Sequence, residues 1–195
     1  MSEAVRLQSP LVGFQLDARA DAGVILRERA FCSHLNLRGE QSDPAFAAAI
    51  KQVLGLEVPF TPNTTTSAGD QTLYWLGPDE WLLVAAPEQA ATLEAALRKA
   101  LAGQFASVVD ISGGQTVVEL RGGNARDVLA KGCPLDLHPR AFGVGQCAQS
   151  HLAKCPLLLR PLADGFEVVV RRSFSDYFFS WIEDAAQEYG FSVVS

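Results

Sequence analysis

Apolar positions along this chain alternate between a strand-like period of two and a helix-like period of three to four, and the same succession of elements occurs twice, about 85 residues apart. Leu35-Asn36-Leu37-Arg38-Gly39 reads as a strand leading to a helix that ends at Gly55. Val118-Glu119-Leu120-Arg121-Gly122 leads in the same way to a helix that ends at Gly132. Tyr74 to Val84 is an apolar run, a tight turn at Pro78-Asp79 and a second apolar run, followed by an amphipathic helix. Leu157 to Val170 repeats that hairpin, again before a helix. The pattern predicts an α+β protein of two similar strand-helix-hairpin-helix halves related by internal duplication. It places an N-terminal extension over 1–22, a first half over 23–105 and a second over 106–195, packed as one unit.

Local chemistry sharpens these elements. Asp43 followed by Pro44 gives an N-cap and first helical position, with Phe46, Ile50, Val53 and Leu54 on one face and Gly55 as the left-handed stop. The second helix is predicted to begin at Pro87, to carry Leu93, Leu97 and Leu101, and to end at Gly103. Ser107 to Ile111 and Thr116 to Arg121 read as strands on either side of Gly113-Gly114. Asn124 is expected to cap a short helix through Leu129, and Cys133-Pro134 forbids its continuation. The last helix is expected from about Ser173 to Tyr189, with Tyr177, Phe178, Trp181, Ile182 and Ala185 on a broad apolar face. Leu56 to Asp70 and Leu135 to Gly145 lack periodicity and read as irregular connections, the first being the expected mobile loop.

With 195 residues, 48% of them hydrophobic, the chain has enough material to bury a sizeable core, roughly 70% of its unfolded surface. The net charge of -6, with no basic cluster beyond Arg171-Arg172, does not suit a nucleic-acid partner. Met1 to Phe14 mixes charged and apolar residues, which predicts neither a signal peptide nor a membrane span and points to the cytoplasm.

Candidate chemistry is sparse. Three histidines, His34, His138 and His151, could serve a nucleophile, and none lies in a nucleophile motif. Gly143-Val144-Gly145 is not followed by the third glycine of a dinucleotide loop. Cys147, His151 and Cys155 share a spacing of four, with Cys133 as a possible fourth ligand. The absence of close cysteine pairs instead favours strand alternation and reduced core thiols, so no metal is assigned. Of the carboxylate pairs, Asp79-Glu80 suits a hairpin turn and Glu183-Asp184 the solvent side of a helix. No catalytic, cofactor-binding or metal-binding residue is therefore assigned.

Three blocks resemble the sarcosine oxidase gamma subunit family: Gly77-Pro78-Asp79-Glu80-Trp81-Leu82-Leu83, Leu129 through Phe142, and Val170-Arg171-Arg172-Ser173-Phe174-Ser175-Asp176-Tyr177. The resemblance implies a fold like that of the folate-binding aminomethyltransferases. It also implies a non-catalytic small subunit of a four-subunit bacterial complex that converts sarcosine to glycine, passing the one-carbon unit to tetrahydrofolate and electrons to oxygen. The implied partners are alpha, beta and delta subunits, which would carry FAD, FMN, NAD, tetrahydrofolate and zinc, leaving none of these on this chain. The irregular connections and the last helix are candidate partner surfaces, with His138, Arg140, Arg171, Arg172, Tyr177 and Trp181 as candidate contacts. Two other readings stay open. One is a free-standing folate-binding factor of the aminomethyltransferase-like group linked to iron-sulfur enzymes, whose signature Lys131-Gly132-Cys133 begins but Pro134-Leu135-Asp136-Leu137 does not continue. The other is a thiol enzyme using Cys133 with His138, which requires an accessible thiolate.

Overall fold

The computed structural model describes residues 7–14, 19 and 21–194. The chain runs β1 (Val24–Arg29), β2 (Cys32–Arg38), α1 (Pro44–Leu54), β3 (Thr65–Ala68), β4 (Gln71–Gly77), β5 (Glu80–Pro87) and α2 (Ala90–Ala100). It continues through β6 (Ser107–Asp110), β7 (Gln115–Arg121), α3 (Ala125–Ala130), β8 (Ala148–Leu152), β9 (Cys155–Leu162), β10 (Gly165–Arg171), α4 (Ser175–Ala186) and β11 (Phe191–Val194). One sheet has the order β3-β4-β5-β2-β6 and the other β11-β1-β7-β10-β9-β8. All pairs are antiparallel except β1 with β11.

Period-two alternation turns each strand's odd and even residues to different cores. Leu35, Leu37, Leu73, Trp81 and Leu83 face α1 and α2. On the other sheet, Val118, Leu120, Phe166, Val168 and Val170 face α3 and α4. The opposite faces meet each other through Tyr74, Leu82, Val84, Val117, Leu158 and Val169. The result is a helix/sheet/sheet/helix stack in which both strand faces are covered. This explains why the central strands read as continuous apolar runs.

Strand order repeats between the sheets when labels are offset by five: β3-β4-β5-β2 corresponds to β8-β9-β10-β7. Each sheet then takes its next strand from the other part of the chain. β1, which directly precedes β2, lies beside β7, and β6, which directly precedes β7, lies beside β2. The chain thus crosses between sheets twice. At the first crossing Phe31 adopts a left-handed backbone, φ 60°. At another border the edges are stitched by Thr65 N–H to Gly145 C=O (2.9 Å) and Cys147 N–H to Asn63 C=O (2.8 Å).

Several elements depart from expectation. β1, β3 and β11 were not read from the sequence. β3 lies inside the connection expected to be a mobile loop. That connection also buries Leu56 and Val58, and Trp81 Nε1 donates to Pro59 C=O at 2.9 Å. α2 begins at Ala90 because Pro87 completes β5. Asp43 caps α1 as expected, accepting from Ala45 N–H, but Asn124 makes no side-chain cap and bonds Asp127 instead. Cys147 to Cys155 is not one strand but a hairpin, β8 turning at Ala153-Lys154 into β9. The described part of the N-terminal extension packs on the α3/α4 side: Leu11 is buried and Phe14 stacks on Phe179, ring centroids 4.0 Å apart.

Gly165 opens β10 where strands approach most closely. A Cβ there would lie 2.1 Å from Leu120 C=O, so adding one requires β10 and β7 to separate. Gly165→Ala is expected to cost about 1–3 kcal/mol, the range for overpacking, and to lower the melting temperature by roughly 2–4 °C per kcal/mol. Gly113→Ala, with open space around its Cβ, serves as the control. Equal melting temperatures for the two variants in a thermal scan by circular dichroism would refute the packing argument.

Candidate functional site

The interface between the sheets is mostly apolar, and one row of charge runs across it. Register places Arg27 opposite Glu119, Glu119 opposite Glu167, and Glu167 opposite Arg160, so four neighbouring strands present +, −, −, + across one sheet. Glu119 is relieved by Arg121 at 3.1 Å and Arg27 at 4.0 Å. Glu167, 1% exposed, receives Arg160 Nε at 2.7 Å and Arg29 Nη1 at 2.6 Å. From the facing sheet Tyr74 donates its hydroxyl to the same carboxylate, and its ring lies 5.7 Å from the Arg160 guanidinium carbon. Arg160 also reaches Ser67 Oγ on β3 at 3.2 Å.

Glu167 differs in its surroundings from an ordinary carboxylate. Burial alone would raise the pKa of Glu167, but hydrogen bonds and charge from Arg160, the Tyr74 hydroxyl and Arg29 outweigh it and hold the group below the usual range. Burial, reinforced by the Glu167 charge, pushes Tyr74 well above 10, keeping its proton on the donating hydroxyl. The cluster is thus a closed ionic cross-link between sheets. Its carboxylate is saturated with donors and shielded from solvent, which suits it to holding register rather than to moving protons.

Beside it lies His34, 0% exposed, with neither ring nitrogen bonded among the described residues. Burial, with the nearby Arg29 charge adding to the effect, pushes its pKa down to about 4. The same interface opens at one end into a cleft of about 330 Å³ whose polar lining includes Asn36, Glu80, Gln115, Gln149 and Arg171. Asn36 bonds Glu80 at 2.7 Å, and Gln149 donates across the sheets to Leu76 C=O at 2.8 Å.

The residues singled out from the sequence occupy other places. His138 is exposed, its Nδ1 accepting from Arg140 N–H at 3.2 Å, and Arg140 is exposed beside it. Arg171 lines the cleft, and Arg172 donates to Gln8 C=O at 3.0 Å. Tyr177 is partly exposed and accepts from Lys154 N–H at 3.4 Å. Trp181 lies so close over Gly132 that a Cβ there would be 2.5 Å from its ring. Tyr177 and Trp181 therefore flank the Ala153-Lys154 turn together. No hydrogen bond or ion pair joins them to the other two pairs among the described residues.

The thiols are dispersed. Cys32 and Cys147 lie between the sheets, while Cys133 and Cys155 lie under α3 and α4. Burial pushes Cys147 up to about 12 and Cys155 up to about 11. Cys133, 7% exposed, neighbours Ser150, so it does not meet the accessibility that a thiol enzyme needs. No group of three or more potential metal ligands is gathered among the described residues. Lys131, which starts the folate-factor signature, is committed to Ala185 C=O and Glu188.

Glu167→Gln keeps the shape of the side chain but leaves two guanidinium groups without their counter-charge. A loss of about 3–5 kcal/mol is expected. Tyr74→Phe, which spares both ion pairs, is expected to cost less, about 1.5–3 kcal/mol for one hydrogen bond to a charged group. Urea unfolding of both variants checks the order, and a Tyr74→Phe protein weaker than Glu167→Gln would contradict it. His34 has its own pH signature. Its folded pKa is depressed, so its contribution is complete above the unfolded value near 6.5 and is lost as pH falls toward about 4. In that window the unfolding equilibrium constant is expected to rise about tenfold per pH unit from this group alone. Urea midpoints from pH 7 to 4.5 should flatten in His34→Leu, and equal slopes in both proteins would exclude the assignment. The Glu167 contribution fades separately, as pH drops below the ordinary carboxylate range.

Comparison with known proteins gives these features a context. A family model described as the sarcosine oxidase gamma subunit family matches residues 38–188. Sarcosine oxidase subunit gamma of Arthrobacter sp. is 38% identical over 174 residues, covering 88% of this chain and 84% of its own. The protein of that name from Corynebacterium sp. strain U-96 is 36% identical over 183 residues, covering 92% and 87%. Among solved structures, a chain of heterotetrameric sarcosine oxidase from Corynebacterium sp. U-96, in complex with pyrrole 2-carboxylate, superposes with a TM-score of 0.85. It is 32% identical and is matched over 97% of this chain and 99% of its own. Aminomethyltransferase T of the Bartonella henselae glycine cleavage system superposes with a TM-score of 0.65 at 15% identity, over 89% of this chain and 48% of its own, which establishes a common fold only. On the family match and these identities over most of its length, the chain belongs to the sarcosine oxidase gamma subunit family.

Proposed function

We propose that this chain is a non-catalytic gamma subunit of a heterotetrameric sarcosine oxidase working in the cytoplasm. Its proposed role is to stabilise the assembly of the larger subunits. The observation that carries this reading is the near end-to-end superposition on a chain of the Corynebacterium heterotetramer, TM-score 0.85 over 97% of this chain. In this reading the partners are the alpha, beta and delta subunits. FAD, FMN, NAD, tetrahydrofolate and zinc reside on them, and the complex converts sarcosine to glycine with transfer of the one-carbon unit to folate. The polar interior of this chain supports a structural role, because its buried carboxylate is taken up by two guanidinium groups and a phenol.

We also propose that the two halves arose by internal duplication followed by exchange of their first strands. The support is the repeated strand order with labels offset by five, together with the reciprocal placement of β1 and β6. Of the candidate partner contacts, His138, Arg140, Arg171 and Arg172 are exposed and free to serve in this way, and Tyr177 is partly so. Trp181 serves the fold through Gly132 and contributes less.

Purification of the tagged chain from its own cells at moderate salt tests the assignment. The expected product carries flavin absorbance and contains two large subunits and one very small one. Deletion of the chain is expected to reduce both assembly and coupled turnover. Unchanged assembly and turnover after deletion would overturn the stabilising role. A colourless protein that elutes alone and quenches its tryptophan fluorescence with a reduced folate would favour the free-standing folate factor.

A further inference from the structure

Phe105 is 96% exposed on the connection between α2 and β6, more than any other large apolar side chain among the described residues. Aromatic side chains are enriched among the residues that anchor protein interfaces. It borders a cleft of about 560 Å³ at the end of the β3-β4-β5-β2-β6 sheet, lined also by Arg38, Glu40, Asp79, Gln104 and Ala106.

Two features of that cleft ask for the same guest. Arg38, its one cationic lining residue, is already paired with Asp79 at 3.1 Å and Glu80 at 2.7 Å. Glu40 has no cationic partner among the described residues, so the mouth is net acidic. Phe105 supplies a ring face. A guanidinium suits both, since it can stack on the ring and neutralise the carboxylate.

We propose that this cleft receives an arginine-bearing segment of another subunit of the complex, with Phe105 as the anchor on this side. The proposal rests on the subunit reading above and adds to it the surface and the chemistry of its occupant. The rim is acidic, so the contact should weaken with salt, and the aromatic anchor should account for much of its strength.

The assembled complex is the material for the test. Phe105→Ala is expected to weaken retention of this chain by about 30-fold, the effect of losing an interface hot spot. Glu40→Lys is expected to release the chain at lower salt than wild type. Because both side chains are exposed, the isolated variants should melt at the wild-type temperature, separating binding from folding. A photo-reactive benzoylphenylalanine placed at position 105 should cross-link to an arginine-containing peptide of another subunit, identified by mass spectrometry. Variants retained as firmly as wild type overturn the proposal. So do cross-links that map to a second copy of this chain, or no cross-link to any subunit of an intact complex. A wild-type chain that joins no complex overturns the subunit reading itself, and the occupant with it.

Discussion

One buried carboxylate governs how the two sheets meet. Glu167 lies buried in a mostly apolar interface, where an isolated negative charge would cost several kcal/mol of lost hydration. The structure meets that cost only if Arg160 arrives from β9, Arg29 from β1 and Tyr74 from the facing sheet, all at one carboxylate. Those three contributors come from three different stretches of chain. Sliding β10 by a single residue would turn Glu167 to the helix side and Val168 to the sheet side, breaking all three contacts and exchanging the faces of the whole strand. The cluster therefore adds little net stability compared with a well-packed apolar replacement, but it penalises every wrong register heavily. This is a source of specificity, in an interface where leucine and valine alone would tolerate slippage.

The placement of β1 depends on the same constraint. Arg29 stands on β1, a strand that precedes the repeat in sequence yet pairs with β7 in the opposite sheet. Without β1 in that place the Glu167 carboxylate keeps one guanidinium, and Glu119 loses its neighbour Arg27. Placement of β1 is thus tied to the electrostatics of a sheet built mostly from the second half of the chain. Reciprocally, β6 closes the flank of β2, and Arg98 from α2 covers its outer edge by donating to Val108 C=O at 2.9 Å, so that this short border strand is not left bare. Each sheet therefore takes one strand from the segment of chain that builds the rest of the other.

How much of this was legible follows from the range of each interaction. Hairpins and helices with local signals were readable: the Pro78-Asp79 turn, the Asp43 cap and the Gly55 stop stand where their chemistry put them. The Arg160–Glu167 pair was also within reach. A two-residue turn at Ala163-Asp164 pairs Leu162 with Gly165, and counting outward brings Arg160 opposite Glu167. A lone charge at the centre of each apolar strand was the available signal. Tyr74 and Arg29 could not be found in this way, because they approach from distant segments and only the folded topology sets their distances. β1, β3 and β11 escaped for a related reason. Their sequences are short or mixed in polarity, and they become strands because a neighbour supplies hydrogen-bonding partners. His34 gave no signal of its burial, since a histidine between alternating apolar residues reads equally well as a surface position.

The stacking of layers also limits where this chain can meet another. Its helices cover the outer face of each sheet, and the inner faces cover one another, so no broad apolar face is left over among the described residues. Of the large apolar side chains that remain in water among the described residues, Phe31 lies between β1 and β2, Phe105 between α2 and β6 and Val144 between α3 and β8, while Leu7 and Val12 precede β1, Val109 stands on β6 and Tyr177 on α4. Contacts made with such positions are rim contacts, small individually and separated around the ends of the sheets. A subunit built in this way is suited to touching partners at several points while its own core stays closed. A slip at Glu167 would move the strand ends, and with them the loops that carry these side chains.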